Sequence, residues 1–322
     1  MWLSTMQTEA AFRALGDVTR LRILCLVASM ELAVGEIAQV LGQSQPRVSR
    51  HIAILSDAGL AERRREGSWI FLRAAGMPFA GEIRRLLAVA EASDAEFAEL
   101  CEGDRRKLAA IRAARETQAQ DYFSAHAETW DELRRLHSAD ELVEDALAKA
   151  LSVAPLGRVL DIGTGTGRMA ELFAETADHV VALDKSPAML RVARARLQKL
   201  DSERIDMVQG DFTSLPLAEA QVDTVLFHQV LHFAHDPAAA LREAARVTRP
   251  GGRIAIVDFA AHSREELRER HSHARLGFED PQMERLLKAA GFEPEVPLAL
   301  EEGELVVKIW IGTRRPTDRK AA

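Results

Sequence analysis

The stretch RVLDIGTGTGRMAELF, residues 158–173, ends an apolar run in Asp161 and then sets Gly163, Gly165 and Gly167 around Thr164. Glycines in such a turn let backbone N–H groups approach a ligand closely at the start of a helix. Taken alone, the turn suits dinucleotides and other adenosine ligands equally. Its D-x-G-x-G-x-G spacing nonetheless departs from the G-x-G-x-x-G dinucleotide fingerprint. Asp184 ends the next apolar run, HVVALD, where a carboxylate can accept hydrogen bonds from both hydroxyls of a ribose; Lys185 and Met189 follow it. Gly210, Asp211 and Phe212 follow a third run, and His228, Gln229 and His232 close a fourth in LFHQVLHF. An imidazole there can remove a proton from a reacting hydroxyl or enol. The plain alternatives are a helix N-cap for Asp161 or Asp184, and a loop histidine satisfied by backbone for His228.

A second set of residues suits a different polymer. In SQPRVSRHIAIL, Val48, Ile52 and Leu55 share one helical face, which leaves Ser44, Gln45, Arg47, Ser49 and Arg50 outward and His51 at the flank. Those side chains can donate to base edges and phosphates in a major groove wide enough for one helix. Arg63, Arg64 and Arg65 follow in a predicted hairpin, where phosphate contacts are expected. Singly, each is an ordinary solvated arginine.

The elements that must position these groups divide the 322 residues into at least two folded units. With 47% hydrophobic and 28% charged residues the chain reads as globular. No apolar run reaches membrane-spanning length, and MWLSTMQTEAAF lacks the pattern of a secretory signal, so a cytoplasmic location is expected. The net charge of −7 is uneven: residues 44–73 hold 6 basic against 3 acidic residues, and 119–322 hold 26 against 34. Generic polyanion binding is excluded, whereas one local basic surface is not. Cys25 and Cys101 are far apart in sequence, with no Cys-x-x-Cys and no histidine spaced to complete a metal set; inert thiols and no metal are expected.

From Phe12 to Gly59 the pattern gives three short amphipathic helices, and LAERRREGSWIFLRA alternates on both sides of Glu66-Gly67 as a hairpin does. Helix, turn, helix and hairpin make a winged helix-turn-helix over 1–78. Residues 79–118 read as a helical connector, with Leu86, Leu87, Phe97, Leu100, Leu108 and Ile111 as its apolar stripe, and as a candidate dimerisation surface or solvated spacer. Residues 119–322 then alternate strand and helix. That pattern predicts an α/β, Rossmann-like fold with a mostly parallel sheet and two C-terminal antiparallel strands.

The order ALGDVTRLRIL, ELAVGEIAQVLGQSQPRVSRHIAILSDAGLAERRREGSWIFLRA resembles the ArsR family of winged-helix repressors over residues 10–76. The resemblance implies a homodimer on double-stranded operator DNA. One departure stands out. Ala33 and Gly35 occupy the places of the paired cysteines that thiol-sensing members carry, and the acidic and histidine set of other members is absent from 79–118.

The glycine turn, together with DKSPAMLRVARARL and VQGDFTSLPL, resembles the class I S-adenosylmethionine-dependent methyltransferases over 155–260. The resemblance implies S-adenosylmethionine or S-adenosylhomocysteine as ligand, held by Asp161, Gly163, Thr164, Gly165, Gly167, Asp184, Lys185, Met189, Gly210, Asp211, Phe212, His228 and Gln229. His228 and His232 become candidate catalytic groups. DYFSAHAETWDELRRL resembles the helical lid (119–154) of small-molecule methyltransferases, which puts Tyr122 and Trp130 near an acceptor; His271, His273 and Arg275 in HSHARLGFED form a second candidate wall. Two functions fit: a DNA-binding regulator that senses the adenosyl ligand and retains transferase activity, or a small-molecule methyltransferase whose winged helix serves autoregulation or dimerisation.

Overall fold

The computed structural model describes residues 5–28, 30–75, 78–135, 140–200 and 203–316. The first four residues, and 136–139 of the expected lid, lie outside them. Contacts divide the chain into Met1–Thr117 and Gln118–Ala322.

The first unit comprises α1 (Thr5–Leu15), α2 (Val18–Val27), β1 (Leu32–Ala33), α3 (Val34–Leu41), α4 (Gln45–Asp57), β2 (Ala61–Glu66), β3 (Trp69–Ala74), α5 (Pro78–Ser93) and most of α6 (Ala95–His126). The first predicted helix is in fact two, because the Asp17 carboxylate caps α2 by accepting the Arg20 N–H at 3.1 Å. Gly42 ends α3 in the left-handed conformation (φ 64°), and α4 starts at Gln45 with Pro46 in its first turn. Val48, Ile52 and Leu55 point into a core with Ile23, Leu26, Ile37 and Leu72. β2 and β3 form the predicted antiparallel hairpin, and β1 adds a two-residue third strand, Leu32 opposite Leu72, too short to leave a sequence period. The connector is broken at Asp94, whose Oδ1 accepts the N–H groups of Glu96 and Phe97 and starts α6. Leu87, Phe97 and Leu108 of the predicted stripe are buried, while Leu86 and Leu100 face outward.

The second unit continues with α7 (Trp130–Arg135), α8 (Asp140–Leu151), β4 (Arg158–Ile162), α9 (Arg168–Phe173), β5 (His179–Asp184), α10 (Pro187–Leu197), β6 (Ile205–Gln209), β7 (Val222–His228), α11 (Pro237–Val247), β8 (Thr248–Phe259), α12 (Glu266–His271), α13 (Asp280–Ala290), β9 (Phe292–Pro294), β10 (Leu298–Leu300) and β11 (Val307–Arg314). The sheet runs β10-β11-β8-β7-β4-β5-β6, with β9 also on β11. β6, β5, β4, β7 and β8 are parallel, and β9 to β11 pair antiparallel. Two apolar clusters, one containing Val159 and Val180 and the other Leu160 and Val181, follow from strands that alternate their side chains between two covered faces. The chain leaves β4 toward β5 and β6, then returns to β7 on the other side. That reversal opens a crevice at the carboxyl ends of β4 and β7.

Candidate functional site

The glycine turn sits in that crevice. Gly163 has φ 69°, and a Cβ there would fall 2.3 Å from Val230 Cγ2, so the turn is packed against the loop after β7 as tightly as glycine allows. The Gly163 and Thr164 N–H groups both donate to the Leu183 carbonyl (2.8 and 2.9 Å), which ties the turn to β5. Asp161 is buried, with Thr164 Oγ1 donating to its Oδ2 at 2.6 Å. Gly167 begins α9.

Asp184 ends β5 opposite the turn. Its Oδ2 accepts the Gly165 N–H at 2.9 Å and its Oδ1 the Ser186 N–H at 2.7 Å. Burial pushes its carboxyl above the usual range, and the backbone donors oppose this only in part. Each carboxylate oxygen keeps acceptor capacity beyond one N–H, so the pair of oxygens fits a vicinal diol. Met189 is buried one turn into α10. Gly210 has no room for a side chain against Pro216 and Leu183. Asp211 is engaged within the protein: Lys185 Nζ donates to Oδ2 at 2.7 Å, and Thr213 donates its N–H and hydroxyl to Oδ1. Although burial acts against the charge, Lys185 and Thr213 hold the Asp211 carboxyl below the usual range. Phe212 is half-buried beside it. These residues fit an adenosyl ligand: a glycine cradle, a carboxylate for the ribose, and an aromatic beside the third strand.

The β7 loop supplies the imidazoles. His228 is buried, and Gln229 adopts φ 51°, a conformation rare for a side chain with Cβ, while its N–H donates to the Val257 carbonyl at 2.7 Å. His232 is buried too; its Nδ1 lies 2.8 Å from Asp258 Oδ1, and its backbone N–H donates to Asp258 Oδ2 at 3.1 Å. Asp258, at the end of β8, is fully buried and was not anticipated; its place at the end of RIAIVDF, beside the histidine-bearing strand, was the available signal. The His232 ring stacks on His273 with centroids 4.1 Å apart.

The expected lid meets this cluster through aromatic contacts. Phe123 packs edge-on to Trp130 (5.4 Å) and Phe233 (4.9 Å), and a Cβ on Gly165 would lie 3.7 Å from Trp130 Nε1. Asp131 accepts the Thr166 hydroxyl at 2.7 Å and pairs with Arg196, which fastens α7 to the glycine turn. Tyr122 Oη lies 2.8 Å from His271 Nδ1, so the two candidate walls touch each other. Burial keeps the Tyr122 phenol above its usual range. Arg275 corrects an expectation. Its Nη2 donates to the His235 carbonyl at 2.9 Å and its backbone N–H to the His232 carbonyl at 2.9 Å, so it braces the loop after β7 rather than facing an acceptor.

In the first unit, Ser44 at the N-cap of α4 and Gln45, Arg47, Ser49 and Arg50 on the helix are exposed. His51 differs: its Nδ1 lies 3.7 Å from Asp17, against α2. Arg63 and Arg65 are exposed, but Arg64 is not part of that surface. Strand alternation turns it inward, where it donates to Glu31, pairs with Glu66 at 2.8 Å and lies over the Phe71 ring. A half-open cleft of about 680 Å³ is lined by Ala33, Gly35, Gln39, Gln45, Trp69 and Arg115. Glu36 beside it is spent on the Ala33 N–H (2.9 Å) and on Arg115 (3.0 Å). Cys25 and Cys101, read from the sequence as separate, come together: their sulfurs and a Glu91 carboxylate oxygen lie within 4.8 Å of one another. Among the described residues, no helix is long and apolar enough to cross a membrane.

Comparison with known proteins agrees with both halves. Residues 17–63 match the family model of bacterial regulatory proteins of the arsR family, and residues 160–256 match that of the methyltransferase domain. The demethylmenaquinone methyltransferase of Renibacterium salmoninarum is 39% identical over 111 residues, 34% of this chain and 45% of that protein. The enzyme of the same name from Thermobifida fusca is 33% identical over 155 residues, 47% and 66% of the two chains. The chain thus spans about half the length of the curated relatives it matches. Among solved structures, the 1,6-didemethyltoxoflavin-N1-methyltransferase of Burkholderia thailandensis, with 1,6-didemethyltoxoflavin and S-adenosylhomocysteine bound, superposes with a TM-score of 0.50 at 23% identity over 64% of this chain and 90% of that one. At that identity the likeness is one of fold.

Proposed function

We propose that this chain, in which an arsR-family regulatory domain is joined to a methyltransferase domain, is a DNA-binding regulator whose second unit binds S-adenosylmethionine or S-adenosylhomocysteine and transfers a methyl group to a small molecule. The observation that carries the reading is the meeting, at one sheet edge, of the glycine turn, the Asp184 carboxylate and the His228–His232 loop. Bound S-adenosylmethionine supplies an activated methyl on a good leaving group, so the protein's task is mainly alignment and exclusion of water. Trp130 and Phe233 supply an apolar roof. Asp258 orients the His232 ring through Nδ1, which leaves Nε2 to take the proton of a hydroxyl or enol acceptor. Demethylmenaquinone, supplied in its reduced form so that it offers a hydroxyl, is the first acceptor to test, because matched relatives are named demethylmenaquinone methyltransferases.

Operator binding rests on the exposed polar face of α4 and on Arg63 and Arg65. The exposed apolar side chains Phe12 and Val18 of the first two helices and Leu86 and Val89 of α5 favour a homodimer. A ligand regulates such a protein only by binding the DNA-competent and incompetent states unequally. The test is calorimetric titration with both adenosyl compounds, followed by fluorescence anisotropy on duplex from upstream of the protein's own gene with and without each. Heat of binding plus a ligand-dependent operator affinity is expected; no binding heat with either compound sinks the proposal.

A further inference from the structure

We infer that the cleft between α3, the start of α4 and the β2–β3 hairpin binds a planar aromatic carboxylate bearing a hydroxyl or amino group, and that such a ligand competes with operator DNA. At about 680 Å³ the cleft falls within the range of small-molecule sites, roughly 300–1,000 Å³. Apolar surface comes from Trp69 and Ile70 of β3 and from Val34 and Ala38 of α3. The Arg115 guanidinium lies 5.8 Å from the centre of the Trp69 ring, so a carboxylate held by the one keeps its attached ring against the other.

Arg115 can take a carboxylate although it already has a partner. Its Nη1 donates to Glu36 Oε1 at 3.0 Å, Arg112 Nε lies 3.9 Å from the same oxygen, and Glu36 Oε2 accepts the Ala33 N–H. Glu36 is thus shared between two guanidiniums. The five N–H groups of an arginine form a planar fork, and this one spends a single group on Glu36. Among the described residues Arg115 is the one basic side chain in the lining, which suits a single carboxylate rather than a phosphate dianion.

The remaining polar lining is neutral and defines the second group of the ligand. Gln43 Oε1 is buried without a hydrogen-bond partner, an acceptor that a ring hydroxyl or amine satisfies. Gln45 reaches the cleft over Gly35, where a Cβ would lie only 3.1 Å from Gln45 Nε2. Competition follows because Gln45 and Ser49 line the cleft and also lie on the exposed face of α4 assigned to the operator. A ligand that holds them withholds them from base edges. This arm rests on the operator reading above.

The full chain is titrated calorimetrically with 4-hydroxybenzoate, benzoate, methyl 4-hydroxybenzoate and cyclohexanecarboxylate. 4-Hydroxybenzoate is expected to bind once per chain with a Kd below about 1 mM. The ester and the non-aromatic acid should bind about tenfold more weakly or worse. Trp69→Ala should weaken 4-hydroxybenzoate by about the same factor. Arg115→Gln should too, but it also takes a partner from the buried Glu36. Gln43→Leu, which removes an amide oxygen that has no protein partner, is therefore the second probe, and it should abolish the preference for 4-hydroxybenzoate over benzoate. Saturating S-adenosylhomocysteine should leave the heat unchanged. At constant ionic strength, saturating 4-hydroxybenzoate should raise the Kd for the upstream duplex about fivefold or more. No heat with either benzoate overturns the site, as does heat that both Trp69→Ala and Gln43→Leu leave unaltered or that S-adenosylhomocysteine removes. Equal binding of the ester or of cyclohexanecarboxylate overturns the ligand class. Binding with an unchanged duplex Kd overturns the competition. If the duplex is bound neither with nor without 4-hydroxybenzoate, the operator reading fails, and calorimetry still decides the site.

Discussion

Asp258 Oδ1 accepts from the Nδ1 side of His232 at 2.8 Å, while Oδ2 takes the backbone N–H of the same residue. One carboxylate thus holds both the ring and the backbone of His232 and turns Nε2 away from this contact. Asp258→Asn keeps the shape but offers an N–H or a neutral oxygen to Nδ1. If the proposed transfer takes place, turnover with reduced demethylmenaquinone as the trial acceptor, followed as S-adenosylhomocysteine released, should drop about 100-fold, with ligand binding heat unchanged. Full turnover in this variant would remove His232 as the proton acceptor.

Gly163→Ala tests the packing of the turn. The new Cβ would meet Val230 Cγ2 at 2.3 Å and would sit at φ 69°. A loss of roughly 1–3 kcal/mol is expected from strain and overpacking together. Adding Val230→Ala relieves the contact but not the backbone, so only part of the stability returns in urea unfolding. Complete recovery would show that the backbone at 163 carries no strain.

Much of this arrangement was legible beforehand, for a physical reason. Gly163, Gly165, Asp184 and Asp211 follow directly on apolar strands, so local sequence alone fixes both residue type and place at the sheet edge. The Asp258–His232 and Tyr122–His271 pairs, and the Cys25–Cys101 contact, join residues of different elements, and no period in either partner announces the other. Arg275 misled because HSHARLGFED is polar in composition, yet its arginine is buried once the His235 carbonyl is supplied by the loop after β7. Arg64 misled because a run of three arginines reads as one surface, whereas a strand turns its middle member the other way.

Arg63 and Arg64, adjacent on β2, should therefore respond oppositely. Arg63→Ala removes an exposed charge and should lower operator affinity while reducing the salt slope by about one. Arg64→Ala removes the guanidinium that bridges Glu31 and the buried Glu66 and packs over Phe71, and should cost roughly 3–5 kcal/mol of stability. Gel shifts over a salt series, paired with urea unfolding, separate the two. A reduced salt slope for Arg64→Ala at full stability would place that side chain on the phosphates after all.

Acidification should weaken the adenosyl ligand through Asp184. Ribose hydroxyls donate to a carboxylate, and a protonated acid offers them fewer acceptors. Burial raises this carboxyl above the usual range, so the loss of affinity should begin at a higher pH than an exposed aspartate would give. The accompanying stability term has the opposite sense. A carboxyl raised in the folded state binds its proton more readily folded than unfolded, so its contribution to stability is present at low pH and is lost as pH rises through the folded value. Falling affinity on acidification is therefore not unfolding driven by this group. Calorimetry with S-adenosylhomocysteine at stepped pH should show affinity declining toward acid in the native protein. Asp184→Asn should bind about tenfold or more weakly throughout and lose that slope. An unchanged affinity in the variant, or the same slope, would take the ribose away from Asp184.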